Sequence, residues 1–108
     1  MTIVELPEFI RRAKKLLRET ERESLIRYLA SHPAAGVLME GTGGIRKLRW
    51  KREGTGKRGG VRVIYYYHNT QYPVFLLTVF GKSEKANVSQ AEQSELGKLV
   101  HILLKEYQ

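Results

Sequence analysis

Basic side chains are concentrated in one part of this sequence, and they are the residues whose types and spacing most directly suggest chemistry. Residues 41–85 contain ten Lys or Arg and two Glu, so this stretch accounts for the whole formal net charge of +8 on the 108-residue chain. Such a charge distribution attracts polyanions and speeds their association. A nucleic acid is therefore the first partner to consider. A partner with acidic side chains and a basic face that only maintains solubility are the alternatives.

Several other chemistries are disfavoured by the residue types that the chain lacks or scatters. It contains no Cys and no Asp, which excludes a disulfide scaffold, a thiol nucleophile and a Cys-based metal site. Hard cations prefer clustered carboxylates, and Glu53 and Glu84 are the two acids of the basic stretch. The histidines His32, His68 and His101 are not spaced as zinc ligands. We therefore expect no metal ion and no other cofactor.

Metal-free cleavage of RNA is a reaction that clustered Lys and Arg can support. The 2′-hydroxyl of RNA is the nucleophile, so an enzyme needs a base for its proton, cations for the charge on the phosphate and an acid for the leaving 5′-oxygen. Arg binds phosphate oxygens bidentately and stays charged, whereas positive neighbours disfavour the protonated form of a Lys. The hypothesis is a general-base Lys assisted by charge-stabilising Arg residues.

Aromatic residues are interleaved with these cations, as in proteins that stack unpaired bases. They are Trp50, Tyr65, Tyr66, Tyr67, Tyr72 and Phe80. Most of them are expected to pack in a core. Because side chains alternate between the two faces of a strand, at least one of residues 65–67 is expected near the exposed face.

The elements that must position these residues are predicted in the order (β)ααβββα, as one α+β domain over residues 1–108 with an antiparallel sheet of three to four strands. Apolar spacing predicts two N-terminal helices that form an antiparallel hairpin, the second beginning at a Thr20–Glu23 capping box. Ser89 and Glu92 form another capping box that opens a C-terminal helix. No apolar run approaches the roughly 18 residues of a membrane span, so a cytoplasmic location is expected.

The first strand after the helical region carries the clearest pattern of the basic stretch. Lys47, Arg49 and Lys51 are predicted on one side, and Leu48 and Trp50 on the other. The next two strands, 61–67 and 74–80, are rich in β-branched and aromatic residues. The pattern therefore predicts a cationic row on one face of a sheet.

Three segments together resemble the RelE/HigB family of toxins from bacterial type II toxin–antitoxin systems. They are residues 41–49 (GTGGIRKLR), 56–66 (GKRGGVRVIYY) and 75–85 (FLLTVFGKSEK), and their order and spacing match the HigB-like branch. The resemblance implies a small α+β mRNA endonuclease that enters the ribosomal A site. It also implies a ribosome with bound mRNA as target, and a cognate HigA-like antitoxin that neutralises the toxin and often binds operator DNA through a helix-turn-helix domain.

The resemblance also implies the site residues. Lys47 and Arg49 match the paired basic residues of the family's second strand, and Arg62 matches the arginine that contacts the scissile phosphate. The expected catalytic set is Lys47, Arg49, Lys57, Arg62 and Lys82; the expected RNA-binding set is Arg46, Lys51, Arg58, Tyr65, Tyr66 and Lys85.

Two positions depart from the pattern of the family. Ser83 stands where RelE has an arginine, and Ser89 stands at about the position of its base-stacking tyrosine. Lys82 or Lys85 is therefore left for the acid. The stacking group remains open among Tyr65, Tyr66 and Trp50.

Two other functions fit the same fold class. A ParE-like inhibitor of DNA gyrase shares the fold and cuts no RNA; the dense Lys/Arg set on the predicted strands argues against it. A non-enzymatic module that binds RNA or the ribosome would use the same positive charge and release no cleaved product.

Overall fold

The computed structural model describes residues 1–51, 60–85 and 87–106, and it has the predicted α+β architecture with a C-terminal helix. In chain order the helices and strands are β1 Ile3–Glu5, α1 Pro7–Leu16, α2 Glu19–Ser31, β2 Val37–Leu38, β3 Ile45–Trp50, β4 Val61–Tyr66, β5 Val74–Gly81 and α3 Gln90–Glu106. In these ranges no helix is both long and apolar enough to span a bilayer.

The sheet is larger than the sequence predicted. It has five strands in the order β1-β5-β4-β3-β2. Strand β1 pairs parallel with β5, and the other neighbours pair antiparallel. The expectation of a purely antiparallel sheet of three to four strands is therefore wrong. Strand β2 has two residues and gives no alternating pattern, and local sequence does not reveal that β1 pairs with a strand so far along the chain.

The two N-terminal helices exist as predicted, but not as a hairpin. Helix α1 packs against β5 and α2 contacts β1, so each is held by the sheet. Pro7 begins α1, where its missing N–H costs nothing. The predicted Thr20–Glu23 capping box is also wrong. The capping box lies two residues earlier, at Arg18 and Glu21, and the Arg18 backbone N–H donates to the Glu21 carboxylate at 2.8 Å.

The core is divided by the sheet into two clusters. The cluster on one face lies between the sheet and helices α1 and α2. It includes Phe9, Ala13, Leu25, Leu29, Val63, Tyr65 and Leu76. The other face packs against α3 and includes Ile45, Ile64, Tyr66, Phe75, Leu77 and Val100. Strand β5 is buried along its whole length, because both faces are covered. We call the face covered by α3 the α3 face.

The predicted cap of α3 is confirmed. The Ser89 backbone N–H donates to Glu92 at 3.0 Å, and the Glu92 backbone N–H donates to the Ser89 hydroxyl at 3.1 Å. This reciprocal pair satisfies two N–H groups that a helix N-terminus otherwise leaves without partners. It fixes the start of α3 beside the end of β5, where the basic residues lie.

Candidate functional site

Three predicted catalytic residues lie on one face of the sheet. In the β3–β4 ladder, Arg49 pairs with Arg62 and Lys47 pairs with Ile64. Directly opposite residues of an antiparallel pair point to the same side, as do residues two apart in one strand. Lys47, Arg49 and Arg62 therefore share the α3 face, while Leu48 and Trp50 pack on the other side as predicted. We call these three residues the cationic row.

The Arg49–Arg62 pair is electrostatically unusual. The Cβ atoms of directly opposite residues lie about 5 Å apart, and like charges at such positions are unfavourable. Within the described part of the chain, neither side chain forms an ion pair. Among the described residues, Arg62 Nη1 donates to the neighbouring carbonyl, Val61 O, at 3.4 Å. Two guanidinium groups on directly opposite residues can bind the oxygens of one phosphate.

Lys85 adds an ammonium next to this row. The β5 residue opposite Arg62 is Phe80, and Lys85 Nζ lies 4.8 Å from the centre of its ring. Lys85 also forms an ion pair with Glu92. The hydrogen bond from Lys85, followed by that from the Ser89 backbone, lowers the pKa of Glu92 to about 2. Glu92 thus joins the capped N-terminus of α3 to the ammonium beside the row.

Lys47 is held by a residue that sequence reasoning did not single out. Its Nζ donates to Asn87 Oδ1 at 3.2 Å, and the same oxygen accepts the Val88 backbone N–H at 2.8 Å. Asn87 and Glu92 both lie where the chain enters α3. The Ser89–Glu92 capping box was the one sequence signal that pointed to this segment, and it indicated a helix cap only.

Arg46, predicted to bind RNA, points away from the cationic row. It pairs with Tyr65 on the face opposite α3. Its guanidinium donates to Ala34 O at 3.2 Å and to Gly36 O at 2.9 Å, and lies 5.9 Å from the centre of the Tyr67 ring. These contacts tie the loop before β2 to the sheet, so the structure does not bring Arg46 to the site.

The expectation that Tyr65 or Tyr66 stacks on a base is corrected by their burial. Their exposed fractions are 0% and 2%, because Tyr65 packs beneath α1 and α2 while Tyr66 packs in the α3 cluster. Trp50, the third stacking candidate, is half-buried on the face opposite the row, with its ring centre 5.4 Å from that of Tyr28.

The remaining predicted residues lie around the same end of the sheet or outside the described chain. Lys51 is exposed directly after β3, and Lys82 is exposed in the turn after β5. The Lys82 backbone N–H donates to Gly60 O at 3.3 Å, which ties that turn to the start of β4. Lys57 and Arg58 fall outside the described residues. No group of three or more His or Glu side chains in ranges 1–51, 60–85 and 87–106 could hold a metal ion.

Comparison with models of protein families identifies a family that this chain matches. A family model described as the RelE toxin of the RelE/RelB toxin–antitoxin system matches residues 6–108. The match begins just before α1 and includes the cationic row, the turn after β5 and α3. It also contains the three segments on which the resemblance in the sequence was based.

Proposed function

The chain belongs to the RelE toxin family, and we propose that it is a ribosome-dependent mRNA endonuclease which cleaves mRNA in the ribosomal A site. Members of this family are toxins that pair with an antitoxin in a toxin–antitoxin system. The proposed antitoxin is HigA-like, with a helix-turn-helix domain that binds operator DNA. The proposed branch is HigB-like, supported by the order and spacing of the three segments.

The observation that carries the proposal is the cationic row. Arg49 and Arg62 are directly opposite each other on adjacent strands, and Lys47 lies on the same face. During cleavage the 2′-oxygen forms a bond to phosphorus as the bond to the 5′-oxygen breaks, leaving a cyclic phosphate and a 5′-hydroxyl. Negative charge grows on the other phosphate oxygens, where the two guanidinium groups stabilise it.

The two proton transfers are assigned to lysines. Lys47 takes the proton from the 2′-hydroxyl, since it is the lysine of the row. Lys85 gives a proton to the leaving 5′-oxygen, since its ammonium lies above Phe80, the residue paired with Arg62. Lys82, exposed on the turn after β5, is the alternative acid. The reaction needs no other group, because RNA supplies its own nucleophile.

The test is cleavage in a reconstituted translation reaction, with the 5′ ends of the mRNA mapped by primer extension. We expect cleavage within codons only when ribosomes are present. Arg62→Ala should lower kcat by about 100-fold, the usual cost of removing one donor that stabilises transition-state charge. Lys98→Ala, an exposed lysine on α3, is the control and should cleave like the wild type.

Three results would contradict the proposal. Wild-type protein that binds ribosomes and leaves mRNA intact would favour a non-enzymatic binding module. Growth arrest accompanied by DNA damage and filamentation, with intact mRNA, would favour a gyrase inhibitor. Full cleavage by Arg62→Ala would remove the cationic row from the mechanism.

A further inference from the structure

Helix α1 carries a second group of cations, separate in sequence from the basic stretch. Residues 7–16 contain four basic residues and one acid, Glu8. This positive charge is hidden in the composition, because the acids that balance it lie elsewhere in the chain. Helix α1 packs alongside β5. This packing brings the cations of α1 to the turn that follows β5.

A pocket of about 320 Å³ lies between α1 and this turn. It is lined by Arg11, Arg12, Lys15, Leu16 and Glu84. Arg12 Nε donates to Val79 O at 2.6 Å, and the guanidinium forms an ion pair with Glu84. Glu84 Oε1 also accepts the Gly81 backbone N–H at 3.0 Å. Arg12 and Glu84 therefore form a fixed floor whose charges cancel.

Two cations remain above this floor. Arg11 and Lys15 are four residues apart on one face of α1, which corresponds to about 6 Å along the helix axis. Lys15 forms no ion pair with any described residue, and Arg11 makes a loose contact of 3.7 Å with the exposed Glu8. The open side of the pocket thus has a charge of about +2 and suits an anion.

The pocket lies at the same end of the sheet as the cationic row. Its wall includes the turn after β5, which is tied to Gly60 through the Lys82 backbone N–H. Gly60 directly precedes β4, whose second residue is Arg62. Lys82 is exposed on that turn. The turn after β5, with its exposed Lys82, therefore lies between the row and the pocket.

We propose that the pocket formed by Arg11, Arg12, Lys15 and Glu84 binds the phosphodiester backbone of RNA outside the cleavage site. The choice of RNA as the ligand rests on the proposed function. The charge and shape of the pocket are observed independently of that function. The bound backbone comes either from the mRNA strand or from ribosomal RNA. The role of the pocket is affinity, since none of its residues lies on the face that carries the row.

The test is the salt dependence of binding by Arg11→Ala/Lys15→Ala. The probes are a single-stranded 2′-O-methyl RNA, which lacks the nucleophile and cannot be cleaved, and ribosomes without mRNA. Each phosphate contact contributes about 0.7 to the slope of log K against log salt for a single strand. Losing two contacts should reduce the slope by about 1.4 and weaken binding about tenfold at physiological salt. Lys98→Ala/Lys105→Ala removes the same charge from α3 and should change neither value.

A second variant should act in the opposite direction. Glu84→Gln keeps an oxygen that can accept the Gly81 N–H but removes the negative charge of the floor. We expect it to tighten RNA binding about twofold, the effect of one partly exposed charge. A loss of folding in either variant would be visible as a lower Tm, and the opposite signs of the two effects separate charge from misfolding.

The two probes also identify the source of the RNA. A weaker affinity for the oligonucleotide points to the mRNA strand, and one confined to ribosomes points to ribosomal RNA; either supports the pocket. Unchanged slopes with both probes, or a defect confined to binding of an acidic peptide, would overturn it. These measurements require no cleavage, so a failure of the endonuclease proposal leaves their result readable.

Discussion

Replacing Tyr65 with Phe should cost much stability and little RNA binding. The Tyr65 hydroxyl donates to Pro33 O at 2.8 Å and accepts the Gly36 backbone N–H at 2.8 Å. The ring is fully buried, and Gly36 is buried as well. The hydroxyl thus ties the loop between α2 and β2 to the centre of the sheet.

The size of the loss follows from these two bonds. Phe fills the space of the ring but leaves one backbone donor and one backbone acceptor without their partner. Each buried group left unsatisfied costs about 1–3 kcal/mol. The Gly36 N–H is buried and the Pro33 carbonyl is partly exposed, so that water partly replaces its lost partner, and a loss of about 2–4 kcal/mol is expected. This corresponds to a decrease in Tm of about 10–20 °C for a domain near this size.

The control is the neighbouring residue on the other face. The Tyr66 hydroxyl has no hydrogen-bond partner among the described residues, so Tyr66→Phe should change the free energy of unfolding by no more than about 0.5 kcal/mol. Urea unfolding of both variants measures the difference. Equal stability of the two would refute the assigned hydrogen bonds. Loss of RNA affinity by folded Tyr65→Phe would refute the placement of Tyr65 away from RNA.

The same hydroxyl also gives an alkaline signature. Burial raises the pKa of Tyr65 above its ordinary value of 10.0. Because the pKa is raised in the folded state, the contribution of the protonated Tyr65 hydroxyl to stability is complete below pH 10. It is lost as the pH rises further. Tyr65→Phe should therefore lose less stability than the wild type in strongly alkaline solution.

Two further predictions concern acid stability and a close contact. Because the pKa of Glu92 is lowered from 4.5 to about 2, its contribution to stability is present above pH 4.5 and is lost towards pH 2. With screening of this partly exposed group, Glu92→Gln should be about 1 kcal/mol less stable than the wild type at pH 5 and equally stable near pH 2 in urea unfolding. A Cβ on Gly36 would lie 2.9 Å from the Tyr65 ring, so Gly36→Ala should lower the free energy of unfolding by about 1–3 kcal/mol. A Cβ on Gly97, which lies within α3, would meet no atom within 4 Å, so Gly97→Ala should raise the Tm slightly.

The fold was predictable where local sequence carries a period. Alternation along residues 45–50 gave the correct faces of β3, and the Ser89–Glu92 pair gave the start of α3. The hairpin of α1 and α2 was wrong, because an apolar stripe shows that a helix is buried and does not show what it packs against. The parallel β1–β5 pair was missed for the same reason, since a strand of three residues has no pattern that selects its partner.

The site was predictable in part. Placing Lys47 and Arg49 together needed only alternation, and the register of β3 with β4 then brought Arg62 opposite Arg49. Alternation also put Arg46 on the other face, although its basic character suggested RNA binding. The positions of Lys85 and Asn87 depend on how the chain turns from β5 into α3, and sequence patterns do not determine such tertiary contacts.

The two cationic surfaces differ in how rigidly they hold their charges, and this difference separates their roles. The backbone positions of Arg49 and Arg62 are fixed by the β3–β4 ladder. The unfavourable free energy of placing two like charges side by side therefore belongs to folding of the sheet and not to binding of RNA. Groups organised before binding can favour a transition state over the ground state. Arg11 and Lys15 extend from an exposed helix face and lose side-chain freedom on binding. A surface of that kind strengthens the attachment of RNA, whereas the row is suited to act on the phosphate being cleaved.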